Sequence, residues 1–176
     1  HTTDLSMRPD ELAREAEARG FHSLYVPEHT HIPTSRRTPP PSGTDVLSQE
    51  YLRSLDPYVG LAAAAAVTER ILLGTGVALP AQHDVLALAK EIATLDLLSH
   101  GRVEVTVGIG GREHDYRAVG ASFARRYARE EEGVASMRRI WRGEPPFEGA
   151  DPVGPRPVQP GGPPILAGVM GPKATA

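Results

Sequence analysis

Glu28, His29 and His31 stand together just after a short apolar run, in SLYVPEHTHIP at 23–33. Imidazole beside a carboxylate can move a proton near neutral pH. Two histidines spaced HxH can instead hold a divalent metal for hydrolysis, provided other loops supply further ligands. His83, His114 and Asp115 are the candidates to complete such a set. The third reading is a polar loop whose histidines bond backbone carbonyls.

Three glycine-bearing segments add to this. GTGVALP at 74–80 sets Gly74 and Gly76 in an apolar run, where glycine weakens packing and suggests close approach by something large. GIGG at 108–111, followed by Arg112, could offer backbone amides and a cation to a phosphate. It lacks the third glycine and downstream acid of a dinucleotide fingerprint. AGVMG at 167–171 reads as a tight turn or as main chain lining a ligand.

The elements that must position these residues alternate helix and strand. PDELAREAEAR at 9–19 has proline in a first turn, Leu12, Ala13 and Ala16 on one face, and Gly20 to close it. SLYV is a strand, and Asp56-Pro57 starts a second helix running to about Arg70. ILLGTGVALP is a buried strand, Asp84 caps a helix through Ser99, and RVEVTVGIGG is the next strand. A helix over 124–141 aligns Tyr127, Val134, Met137 and Trp141, and PPILAGVMG is a final strand. Segments 30–55 and 143–164 read as long loops that would shape a substrate pocket, and the acidic run at 130–132 as a solvated helix face. Such alternation demands an α/β fold with a parallel sheet, either doubly wound or a (β/α)8 barrel. In both, chemistry gathers at the carboxyl ends of the strands, here PEHTH, GVALPAQH, GIGGREHD and AGVMG.

The bulk properties narrow the partners. A net charge of −3 over 176 residues gives no reason to expect nucleic acid or an anionic membrane. No apolar run approaches the roughly 20 residues that span a bilayer. With no cysteine there are no disulfides and no thiolate chemistry. A cytoplasmic protein acting on a small molecule is the expectation.

Four stretches, ELAREAEARGFHSLYVPEH, DPYVGLAAAAAVTERILLGTGV, AKEIATLDLLSHGRVEVTVGIG and PPILAGVMGP, lie in the order and near the spacing of a known family. The chain resembles the luciferase-like flavin or deazaflavin oxidoreductases, most closely their F420-dependent branch. The resemblance implies a single (β/α)8 TIM-barrel domain over 1–176, represented in part, without its first strand and C-terminal third. It implies coenzyme F420, or alternatively FMN, lying across Gly76, Val77, Leu79, Gly108, Gly110, Gly111, Arg112, Gly168 and Val169. It implies a bulge, often with a non-prolyl cis peptide, at Gly76-Val77. His29 would transfer the proton that accompanies hydride transfer, Glu28 would orient or tune it, and Glu113 falls near a family carboxylate acid. After the glycines this chain reads GREHDYR, shorter by about two residues than the family's loop. A partial barrel exposes sheet edges, so a homo-oligomer is expected. Three other functions stay open: an FMN monooxygenase, a non-catalytic partner subunit, and a metal-dependent hydrolase using His29 and His31.

Overall fold

The computed structural model describes residues 2–32 and 47–168. Its centre is a four-stranded sheet of β1 (Ser23–Val26), β2 (Leu72–Ala78), β3 (Val103–Val107) and β4 (Ile165–Ala167). All pairings are parallel and the spatial order follows the chain, β1-β2-β3-β4. Parallel crossovers are right-handed, so an order that never reverses sends every connection to one side of the sheet. That is the progression of a barrel wall, not of a doubly wound sheet, whose order switches direction.

The side chains follow this layout. Leu24, Val26, Leu73, Val103, Val105 and Ile165 pack into one core with Ala13, Leu61, Leu88, Ile92 and Met137 from the helices. The alternate residues Tyr25, Gly74 and Glu104 share a register row on the other face. The helices are α1 (Pro9–Ala18), α2 (Gln49–Leu52), α3 (Pro57–Ala65), α4 (Val85–Leu98), α5 (Glu113–Ala118) and α6 (Arg126–Trp141). Asp56 accepts from Val59 N–H, and Asp84 from Leu86 and Ala87 N–H, so both expected caps form. Among the described residues no helix is long and apolar enough to cross a membrane.

Four expectations change. α3 ends at Ala65, not near Arg70, because two charged groups take over its continuation. The Glu17 carboxylate accepts from the N–H groups of Glu69, Arg70 and Ile71. The Arg102 guanidinium is buried and donates to the carbonyls of Ala65, Thr68, Ile71 and Ser99 and to the Thr68 hydroxyl. Segment 30–55 is not all loop, since it contains α2, and α5 is a further helix. Tyr127 points outward, and Gly133, Met137, Ile140 and Trp141 form the buried side of α6.

The fourth concerns 143–164, which does not shape a pocket at the strand carboxyl ends. Asp96, fully buried near the end of α4, accepts from Val158 N–H, Gln159 N–H and the Gln159 amide. The same amide donates to Val103 O at the start of β3. The segment thus docks at the amino ends of the strands, opposite the cluster that motivated the functional reading.

Arg102→Lys is expected to lower unfolding free energy by about 2–4 kcal/mol, because several buried carbonyls lose their donor. Urea titration with an unchanged slope would show it, and a loss below about 1 kcal/mol would contradict the assigned role. The amides of Ile71, Arg70 and Glu69 hold the Glu17 carboxyl at about 2, against an ordinary 4.5. A lowered carboxyl pKa contributes stability that is complete above the unfolded value and lost as pH falls through the folded one. Glu17→Gln should therefore flatten the stability-versus-pH curve between about pH 4.5 and 2.

Candidate active site

β1 delivers Glu28 and His29 to the carboxyl end of the sheet, and Glu28 is buried there. One Glu28 oxygen accepts from Leu79 N–H at 2.8 Å, and the other is hydrogen-bonded to His83 Nε2. These bonds go to the turn after β2, so Glu28 acts on His29 through its charge and orients His83 directly. Of the two roles expected for Glu28 at His29, orienting or tuning, the charge effect is the tuning one. Burial opposes charge on His83, but the bond to Glu28 and its negative charge outweigh this and raise the His83 pKa.

His29 is half-buried, its ring 4.6 Å from that of Tyr51 on α2. Arg112 lies over the same Tyr51 ring at 5.5 Å and donates to its hydroxyl at 3.3 Å. Burial, then the nearby Arg112 cation, push the His29 pKa below its ordinary value, with the Glu28 charge opposing. The shift favours the neutral imidazole, the form that accepts a proton. Arg112, expected as a phosphate cation, contacts Tyr51 through one guanidinium nitrogen.

Glu113, the expected acid, opens α5 as an exposed residue. The buried carboxyl of that helix is Asp115, with His31 Nε2 at 3.9 Å. Burial raises its pKa against the charges of Arg112, His31 and His114, and its Oδ1 is buried without a hydrogen-bond partner. Among the described residues no group of three or more His, Asp or Glu could hold a metal ion. His83 Nε2 is engaged by Glu28.

The glycine positions separate into different roles. The Gly76-Val77 peptide is cis and the β2–β3 register shifts between Gly76 and Ala78, as the resemblance implied. At Gly74 the large neighbour is the Tyr25 ring, into which a Cβ would run. A Cβ on Gly108 or Gly168 would come within 2.7 Å of Val77 methyls, so those two glycines make room for Val77. Gly110 has φ +69° and rests on Leu79 and Gln82, with Leu79 itself buried beneath it. A Cβ at Gly111 would meet nothing within 4 Å. Gly76 is exposed on the sheet face that the helices leave uncovered. Val169 lies outside the described residues.

Tyr51 carries no sequence signal, since it follows the long polar stretch and joins the site only through α2. Asp115 and His83 are visible in the sequence only as possible metal ligands. Gly108→Ala should clash with Val77 and lower the melting temperature. Val77→Ala in the same chain should recover part of the loss, measured as a double-mutant cycle. Additive effects would rule out the contact as the reason for glycine.

The chain matches the family model described as luciferase-like monooxygenase over residues 8–176. It is 45% identical over 179 residues to an uncharacterised protein of Mycobacterium tuberculosis, covering 97% of this chain and 63% of that protein. It is 35% identical over 134 residues to the F420-dependent glucose-6-phosphate dehydrogenase of Beutenbergia cavernae, covering 73% of this chain and 35% of that enzyme. A monooxygenase of Streptomyces bottropensis superposes with a TM-score of 0.71 at 33% identity, over 91% of this chain and 46% of the other. An F420-dependent secondary alcohol dehydrogenase in complex with an F420-acetone adduct gives a TM-score of 0.72 at 25% identity, over 96% and 50%. The chain thus spans less than two thirds of the length of these relatives. They are TIM barrels, of which β1–β4 form part.

Proposed function

The chain belongs to the luciferase-like monooxygenase family, and from that premise we propose that it serves an F420-dependent oxidoreductase acting on a small alcohol or carbonyl compound. The observation that carries this reading is His29, half-buried at the carboxyl end of β1 against Tyr51, in a sheet whose β2 carries a cis Gly76-Val77 peptide. Exposed Gly76 and the open flank of Gly111 fit the approach of a flat ring. Gly76, Val77 and Gly111 would hold that ring, largely through main chain and the Val77 side chain.

When bound, the deazaflavin supplies the acceptor or donor of the hydride. The residues of this chain handle the proton. His29 takes it from the substrate hydroxyl oxygen as a carbonyl forms, and returns it in the reverse direction. Arg112 and Tyr51 brace the imidazole and keep it in its neutral form. Asp115 on the neighbouring α5, its pKa raised by burial, faces His31 Nε2 at 3.9 Å.

An FMN-dependent monooxygenase is the second reading, its monooxygenase part supported by the 33% identity to the Streptomyces bottropensis monooxygenase. Fluorescence titration with F420 and then FMN separates the two. Saturable F420 binding with alcohol oxidation supports the first, FMN binding alone the second, and neither at about 100 μM would sink both. His29→Ala should retain cofactor binding and lose turnover by about 10²–10⁴-fold. Alcohol oxidation should need deprotonated His29, so its rate should rise through a pKa below 6.5 and level off above it. A profile that falls across that range would assign the proton to another group.

A further inference from the structure

We propose that Arg129 and Glu130, on α6 and outside the site, are positioning residues that fix the turn Leu79–His83 by gripping Ala81 at both backbone groups. The proposal rests on the preceding reading in one respect, that this turn supports the surface facing the cofactor.

The geometry is specific. Arg129 Nε donates to Ala81 O at 3.0 Å, and Ala81 N–H donates to Glu130 Oε2 at 3.1 Å. Adjacent residues of one helix thus satisfy the donor and the acceptor of a single peptide position. On its other flank the turn is held by Glu28, through Leu79 N–H and His83. Its internal bonds are Gln82 N–H to Leu79 O at 2.8 Å and His83 N–H to Pro80 O at 3.1 Å. The glycine loop after β3 sits on this turn, since a Cβ at Gly110 would come within 3.0 Å of the Gln82 amide and 3.4 Å of Leu79. The turn therefore lies between the grip from α6 and both glycine-lined strand ends.

Glu130 was expected on a solvated face with its acidic neighbours, but it is buried and its Oε1 has no hydrogen-bond partner. Burial, opposed by the Ala81 amide and reinforced by Glu28, pushes its pKa up to about 7. A buried carboxyl is an expensive way to satisfy one amide. What it provides is a short, rigid link from a 16-residue helix to a non-repetitive segment, which is how supporting side chains hold a site within tolerance.

The test compares Arg129→Ala, Glu130→Ala and Glu130→Gln with wild type. The glutamine keeps an acceptor for Ala81 N–H without the charge. Amide exchange by mass spectrometry should be about tenfold faster across 79–83 in both alanine variants, while core peptides of β3 are unchanged. F420 binding, by fluorescence, should weaken about tenfold, with kcat falling more than KM rises. Glu130→Gln should restore slow exchange and most of the affinity. Unchanged exchange in both alanine variants would overturn the proposal, as would a glutamine variant no better than alanine. If Glu130→Ala fails to fold, Arg129→Ala and Glu130→Gln still decide. A wild-type chain that binds neither F420 nor FMN would remove the functional reading, while exchange at 79–83 would still judge the grip.

Discussion

The Glu28 carboxylate is the interaction on which the candidate site depends. It is a buried charge at the end of β1, and a buried charge must be fully engaged or it destabilises what surrounds it. Here both oxygens are engaged by the turn after β2. At His29 burial and then Arg112 dominate, with the Glu28 charge opposing them. Two consecutive residues thus differ: Glu28 holds the Leu79 backbone, and the His29 imidazole has its pKa lowered.

Legibility in the sequence followed the range of the physics involved. Pro9, Asp56-Pro57 and Asp84 act within a few residues, and the helices they announce are present. Strand periodicity and the alternating rhythm led to a parallel sheet, and the family resemblance located the cis peptide. What local rules could not supply were partners distant in sequence. Nothing near Glu28 points to His83, 55 residues on, nor does Glu130 announce Ala81, 49 residues back. The acidic run at 130–132 looks uniform as a string, yet helix geometry buries its first member and exposes the other two.

The glycines show the same limit. A glycine in a strand signals that something approaches, without naming it. At Gly74 the visitor is Tyr25 from the adjacent strand, and at Gly108 and Gly168 it is Val77. Register across the sheet decides these contacts, and register is a property of three strands at once.

The docking of 143–164 at the amino ends of the strands has a practical reading. Barrel enzymes divide their ends, with stability at one and chemistry at the other. Asp96 ties this proline-rich segment to the first kind of end. Val158, whose N–H donates to Asp96 there, has an exposed side chain, in a chain with no cysteine of its own. One cysteine placed at 158 would thus be the sole thiol of this chain, a handle for a fluorophore or a surface tether at the end of the sheet away from His29.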